Sequence, residues 1–430
     1  MKPMFVISCP IDTYSGYGAR SRDLVKAIIE LDKYDVKILP QRWGNTPWGF
    51  IEDHKEWGFL SPYLLQDNSL PKKPEIWAQV TVPNEFQPIG NFNIGFTAGI
   101  ETTACHHSWI EGLNRMDLNI VSSEHSKQVF TTTRFDQKNT QTNEIVGDLK
   151  LEKPLEVLIE GANLETYLPK NSEFDLSMIK EDFAYLFVGH WMQGDIGEDR
   201  KNVGALVKTF LETFKNKSKT PALILKTSIG GASYMGRESI LNRIDQIRNS
   251  VDSDKLPNIY LIHGELSDLE INELYNHKKV KAMVSLTKGE GYGRPLLEFS
   301  LTKKPIITTN WSGHLDFLNS EYVTLIQGEL KNIHKSAVVE NILIPESKWF
   351  NPNFGEVKYY LRDMFENYKS YKEKAVRQAY KSKTEFSFEN MKTQLENYTK
   401  VYIPDFPTQV ELQLPKLQLP KLKKVKDVEG

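Results

Sequence analysis

Two acids in the C-terminal half, Glu290 and Glu298, stand eight residues apart in the stretch LTKGEGYGRPLLEFSLT, with Gly291 and Gly293 between them. The run AMVSL (282–286) ahead of them reads as a buried strand, and RPLLEFSLT reads as the opening of a helix. In open parallel sheets ligands sit beyond the carboxyl ends of strands, so Glu290 falls on a ligand-facing loop. Glu298 falls about two turns into the helix, near enough to that face to reach a ligand. The amides of Gly291, Tyr292 and Gly293 lie at the helix N-terminus, where backbone donors and the helix dipole favour polar or anionic groups. A sugar phosphate suits such a place. Taken alone, the two acids would be a solvated loop residue and a helix-surface residue.

A second constellation follows the strand-like run YLFVG (185–189), where Arg200 and Lys201 precede a stripe of Val203, Leu206, Val207, Phe210, Leu211 and Phe214 at helical spacing. Adjacent cations at a helix start are either solvated or hold an anion, and charge-assisted bonds to phosphate are the strong ones. Lys226, after the run LIL, is a further cation at the same face. Near the N-terminus, Gly16 and Gly18 in SGYGAR follow the run MFVIS and precede a helix expected to start near Arg20, a place where a phosphate or an acceptor could approach the backbone. The dinucleotide fingerprint is broken there by Arg20 and Ser21, which disfavours a nicotinamide enzyme.

These residues must be positioned by elements of one kind. Short apolar runs at 4–8, 36–39, 77–82, 94–97, 119–123 and 156–160, then at 185–189, 223–227, 259–263, 282–286 and 305–309, alternate with helical stripes. That alternation predicts two doubly wound parallel sheets, an α/β chain of two Rossmann-like domains facing one another. A length of 430 residues agrees with two domains. The polar connection YLPKNSEFDLSMIKED (167–182) places the boundary, giving domains at 1–172 and 173–385. With 54 basic and 56 acidic residues the net charge is −2, so no global field recruits nucleic acid or an anionic membrane. The start MKPMFVISCPID is too short in apolar residues for a secretory signal, and no 18-residue apolar stretch occurs; a cytoplasmic protein is expected. Cys9 and Cys105 read as buried filler rather than a disulfide framework or metal cluster.

The stretch around Glu290 and Glu298 resembles the E-x7-E signature of retaining glycosyltransferases of family 4, which have the GT-B fold. FVGHWMQGDIGEDRKNVGALVKTF is similar to that family's diphosphate-binding segment, and HGELSDLEINELYNHKKVKAMVSLTKGEGYGRPLLEFSLTKKPIITTNWSGHLDFL follows the family's order through base-side loop, signature and proline strand. YSGYGARSRDL is similar to its glycine-rich loop after the first strand. The resemblance is strong over 185–318 and looser over the rest of 5–400. It implies that Glu298 holds the ribose diol of a sugar nucleotide, since a carboxylate can accept bonds from both hydroxyls. It implies that Glu290, with Gly291, Tyr292 and Gly293, holds the donor sugar, that Lys201 with Arg200 or Lys226 holds the diphosphate, and that His263 opens the base-side loop. His190 departs from the pattern, since many relatives carry arginine there. Of the residues after the run IGFT, Glu101 is the first choice to face the donor sugar, with His106 and His107 behind it. No cofactor or metal is expected beyond the nucleotide-sugar donor.

The resemblance also implies that SFENMKTQLENYTKVY forms a helix (386–403) returning to the first domain, with Phe388, Met391, Leu395 and Tyr398 on one stripe, and it leaves a tail at 404–430 with a repeated LQLPK unit. The acceptor stays open. Trp43, Trp48, Phe50, Trp57, Phe59 and Tyr63 could stack on sugars or bases, or could pack an irregular insertion. The acceptor could be a glycan, a lipid-linked or small molecule, or a hydroxymethylated base in DNA; a non-catalytic sugar-nucleotide or glycan-binding module is the reading from another class.

Overall fold

Residues 2–67, 69–70, 72–139, 141–142 and 144–406 are described by a computed structural model. The first half forms strands β1 (Met4–Cys9), β2 (Asp35–Pro40), β3 (Ile76–Val80), β4 (Phe92–Thr97), β5 (Leu118–Val121), an outlying hairpin β6 (Phe135–Lys138) and β7 (Ile145–Leu149), and β8 (Leu155–Val157). The second half forms β9 (Ala184–Val188), β10 (Ala222–Lys226), β11 (Ile259–Ile262), β12 (Val280–Ser285), β13 (Ile306–Thr309), β14 (Thr324–Ile326) and a hairpin of β15 (Gly328–Asn332) and β16 (Lys348–Pro352). Helices are α1 (Gly16–Glu30), α2 (Phe50–Asp53), α3 (His107–Asn114), α4 (Glu124–Thr132), α5 (Val203–Phe214), α6 (Tyr234–Asn249), α7 (Asp268–Asn276), α8 (Arg294–Ser300), α9 (Phe354–Glu366), α10 (Tyr368–Glu385) and α11 (Phe388–Tyr402).

Two six-stranded sheets result, ordered β2-β1-β3-β4-β5-β8 and β11-β10-β9-β12-β13-β14, and every pair within them is parallel. Parallel strands covered on both faces need continuous apolar sequence, and MFVISC and IWAQV are buried at every position. Alternation then sorts the layers. Phe5, Ile7 and Cys9 pack with α1 and α11, whereas Met4 and Val6 pack with Trp77, Trp109 and Phe130 on the other face. In the second sheet Tyr185 and Phe187 face α5, α6 and α9, while Ala184 and Leu186 face α7 and α8. The chain has the α/β GT-B architecture. Phe388, Met391 and Leu395 of α11 lie in the core of the first sheet, and the Arg20 guanidinium on α1 donates to the carbonyls of Leu158 and Ile159.

The strand order reverses between β1 and β3 in the first sheet and between β9 and β12 in the second, and ligands bind in such crevices. The loops after β9 and β12 carry Arg200, Lys201 and Glu290, so topology alone brings these residues together.

Three local readings are corrected. Helix α1 begins at Gly16 rather than near Arg20, because Ser15 caps it by accepting the Gly18 N–H at 2.9 Å; a Cβ at Gly18 would stand 2.3 Å from the Thr13 carbonyl. Helix α8 begins only at Arg294, so Glu298 lies little more than one turn in, not two. Arg200 and Lys201 precede α5 in a turn closed by Asn202 at φ 57° instead of starting the helix. Sequence reading also passed over β14, whose run is short, and both hairpins. In the aromatic segment Phe50 is buried and Trp57 and Tyr63 pack against the first core, while Trp48 and Phe59 are exposed. The repeated LQLPK unit lies outside the described residues.

Candidate active site

The loop between β12 and α8 is buried along its length and pressed against the first domain. A Cβ at Gly289 would stand 2.0 Å from the Glu101 carbonyl oxygen, and one at Gly291 would stand 2.5 Å from that of Ala98. Only glycine permits so close an approach. The Glu290 amide donates to Ser312 Oγ at 2.9 Å and its carbonyl accepts the Gly313 amide at 3.0 Å. On its other side the Lys288 amide donates to the Arg200 carbonyl at 2.8 Å, which stitches the loops after β9 and β12 together.

Four charges meet on this frame. Lys201 Nζ donates to both Glu290 oxygens, at 2.6 and 2.8 Å. Arg200 Nη1 donates to the Gly289 carbonyl at 2.9 Å and lies 3.4 Å from Glu290 Oε2 and 3.2 Å from Glu101 Oε1 across the domain boundary. Glu290 is 7% exposed, so it is not a solvated loop acid. Burial by itself would raise its carboxyl, but Lys201 and Arg200 outweigh that and hold it at about 2. Burial lowers Lys201, while for Arg200 the acids Glu101 and Glu290 more than offset burial.

The second acid sits differently. Glu298 is 5% exposed and accepts from Arg294 Nε at 2.8 Å, and the Arg294 guanidinium also pairs with Asp23 on α1 of the first domain. One cation therefore serves two carboxylates. Burial raises Glu298 to about 7, with Asp268 and Asp23 adding to the rise and Arg294 opposing it. Asp268 itself accepts from the Tyr167 hydroxyl at 3.1 Å.

A cationic flank lies next to the Glu290 cluster. Lys226 Nζ donates to the Gly264 carbonyl at 2.7 Å, and burial lowers it. His190 Nδ1 shares a 2.9 Å hydrogen bond with Ser228 Oγ. Burial, then Lys201, Lys226 and Arg200, push His190 down to about 4. His263 is tied between the carbonyls of Thr227 at 3.2 Å and Ser233 at 3.0 Å, fixing the loop after β10.

Glu290, Lys201, Arg200 and Glu101 thus form one cluster, with Gly291, Tyr292 and Gly293 in the same loop and Glu298 on the following helix. Tyr292 is buried against Phe317, so its ring serves packing. Gly16 and Gly18 fall in the first turn of α1, where Tyr17 reaches Thr97 Oγ1 at 3.0 Å and accepts the Ala98 amide at 3.1 Å. His107 stands apart: its half-exposed ring meets Glu111 at 3.1 Å, and His106 caps α3. Sequence reading missed the partners Asp23, Ser312 and Ser228. Arg294 was legible, since position i−4 from a helical acid is its neighbour on the same face. Also unread was the hairpin β15–β16, which crosses to the first domain through the Thr103 amide on the Lys348 carbonyl at 2.9 Å and Trp109 Nε1 on the Asn341 carbonyl at 2.7 Å. Among the described residues, no group of three or more His, Cys, Asp or Glu stands where it could hold a metal ion, and no helix is long and apolar enough to cross a membrane.

No family model matches the chain, and no curated protein matches it in sequence. Solved structures match it in fold. A sucrose-phosphate synthase from Thermosynechococcus elongatus is similar at TM-score 0.59 and 12% identity, over 93% of this chain and 98% of that one. A glycosyltransferase from Rickettsia africae is similar at 0.59 and 13%, over 93% and 98%. HepE of Anabaena, solved with UDP and glucose, is similar at 0.57 and 10%, over 93% and 99%.

Proposed function

We propose that this protein is a retaining glycosyltransferase of the family 4 type, moving a sugar from a nucleotide-diphosphate sugar to an acceptor hydroxyl. The observation that carries the reading is the meeting of Lys201, Arg200 and Glu290 in the switch-point crevice of the second sheet, closed by Glu101 from the first. Solved neighbours bound to UDP and UDP-glucose support a nucleotide-sugar ligand.

In this reading Lys201 and Arg200 turn from the acids to the diphosphate and stabilise the negative charge that grows on it as the sugar–oxygen bond breaks. Glu290, ionised in the free site by those cations, accepts from the donor sugar's hydroxyls once they turn, and fixes the anomeric carbon. Glu298 takes the ribose diol. The acceptor attacks on the face the nucleotide leaves, its proton passing to a phosphate oxygen, so no protein nucleophile is needed. Leaving-group charge is met by side chains, without a metal. Glu101 bridges the domains through Arg200 and comes to the sugar only when Arg200 moves to phosphate.

The test is incubation with UDP-, GDP- and ADP-sugars, following slow donor hydrolysis and the anomer first released by NMR. Hydrolysis with retention, lost in Glu290→Gln, is the expected result. Tight binding without turnover in the presence of glycan, lipid-linked, small-molecule and DNA acceptors would move the protein to the binding modules.

A further inference from the structure

One imidazole stands among the cations of the cleft. His190 follows Gly189 at the end of β9, and Lys201 passes so close that its Cδ would be 3.8 Å from a Cβ at that glycine. The His190 Nδ1 partner is the Ser228 hydroxyl, the Ser228 backbone also favours the protonated ring, and Nε2 makes no side-chain hydrogen bond among the described residues. The groups facing it come from several elements. Arg200 and Lys201 lie in the turn before α5 and Lys226 at the end of β10, all disfavouring a charged ring. Glu290 and Glu101 are engaged by Lys201 and Arg200, Glu265 after β11 acts on Lys226, and His263 is held by two carbonyls. His314 lies beyond Glu290 with its Nε2 on the Thr309 carbonyl at 2.7 Å.

We infer that His190 is a proton-linked ligand of the donor's diphosphate, taking one proton from solvent when the sugar nucleotide binds and donating Nε2–H to a phosphate oxygen. This rests on the nucleotide-sugar reading above. The local geometry suits a ring that changes charge. A hydroxyl both donates and accepts, so Ser228 can keep its bond whether Nδ1 is a lone pair or an N–H. Both nitrogens of His263, by contrast, face carbonyls that only accept. Burial first, and then the three cations, hold His190 neutral; a diphosphate brings two negative charges among those cations, and opposite charge within reach favours the imidazolium. The proton is added to the ring and no covalent bond changes.

Linkage fixes the sign. Before the donor arrives, burial and then the neighbouring cations hold His190 down to about 4, so near neutral pH the ring is neutral in the free protein and charged in the complex. Affinity should then rise as pH falls, by at most about tenfold per pH unit at the steepest point. UDP-glucose is the probe, because its diphosphate diester loses no proton between about pH 5 and 8. Calorimetry at pH 6 in two buffers of different ionisation heat counts the protons. Glu298 contributes with the opposite sign if the ribose draws it into its ionised form, so the His190 share is the difference between wild type and His190→Gln. His190→Arg, which carries its charge at every pH, should bind with the His190 proton uptake gone, leaving the same residual proton change and pH dependence as His190→Gln. In the wild-type complex the His190 ring nitrogens should show the imidazolium shifts. Uptake that persists in both variants, or a neutral His190 ring in the saturated complex, overturns the inference and leaves the donor reading standing. Failure of UDP-glucose, GDP-mannose and ADP-glucose to bind at any pH overturns both.

Discussion

Glu290 and Glu298 are eight residues apart, equally buried and each paired to a cation, yet one is held at about 2 and the other is raised to about 7. The difference lies in how many acids share each cation. Glu290 has Lys201 to itself and a share of Arg200, while Glu298 divides Arg294 with Asp23 and faces Asp268 as well. Burial pushes both carboxyls up, and the local count of charges decides which way each one ends. A carboxylate fixed as an anion can order sugar hydroxyls at any working pH. One poised near 7 can exchange its arginine for a ligand at small cost.

The sharpest way to test the Glu290 side is to remove its cation. Lys201→Ala should lower turnover at saturating donor by about 10²–10³, the usual value of a preorganised donor aimed at developing charge. Steady-state hydrolysis measures it. A rise in the Michaelis constant with turnover unchanged would mean that Lys201 binds ground and transition states alike.

The two acids should also respond to neutralisation with opposite signs. Glu290→Gln removes one partner of a buried ion pair and should cost about 3 kcal/mol at pH 7, read from the urea midpoint. Because the folded carboxyl is depressed, that stability is present above the ordinary carboxylate range, and the gap to wild type should close as pH falls toward 2. Glu298 is raised, so its contribution is present below the ordinary value of 4.5 and is lost as pH rises through about 7. Glu298→Gln, which resembles the protonated form, should therefore match wild type in acid and exceed it at pH 8. If both variants lost stability equally at pH 8, the contrast between the acids would be void.

Glu298 should matter more to the ligand than to the fold. Glu298→Ala should weaken donor binding by about 1–3 kcal/mol through loss of a charged acceptor of two hydroxyl bonds. Unchanged affinity for UDP, by calorimetry, would remove it from the ribose.

What the sequence disclosed follows the same division. The apolar runs placed the strands of both sheets, β14 excepted, because doubly buried parallel strands leave a continuous apolar signal. The Glu290 loop was legible because glycines, an acid and a helix start are contiguous. Glu101 was singled out, but its pairing with Arg200 was not, nor was Asp23, since both arrive from the other domain and no local period encodes that approach. The hairpin β15–β16 was hidden for a related reason: β15 is exposed at every position, so no buried face marks it as a strand.

The smallest expected effect isolates the interdomain link. Asp23 reaches Arg294 from α1, and its charge is one of those that keep Glu298 high. Asp23→Asn keeps the shape and one acceptor oxygen while removing the charge, so Arg294 is left to Glu298 alone. Two things should follow from that single change. The Glu298 carboxyl, followed by carbon-13 NMR and assigned with Glu298→Gln, should titrate below about 7, toward the ordinary glutamate value. The domains should also separate more readily, because a charged contact across the cleft becomes a neutral one, and X-ray scattering in the absence of donor should give a larger radius of gyration than wild type. Burial, the largest cause of the rise, is untouched by the substitution, so the titration should move only part of the way. A Glu298 curve that did not move would show that Asp268 and burial suffice, and that Asp23 holds the domains together without tuning the acid beside them.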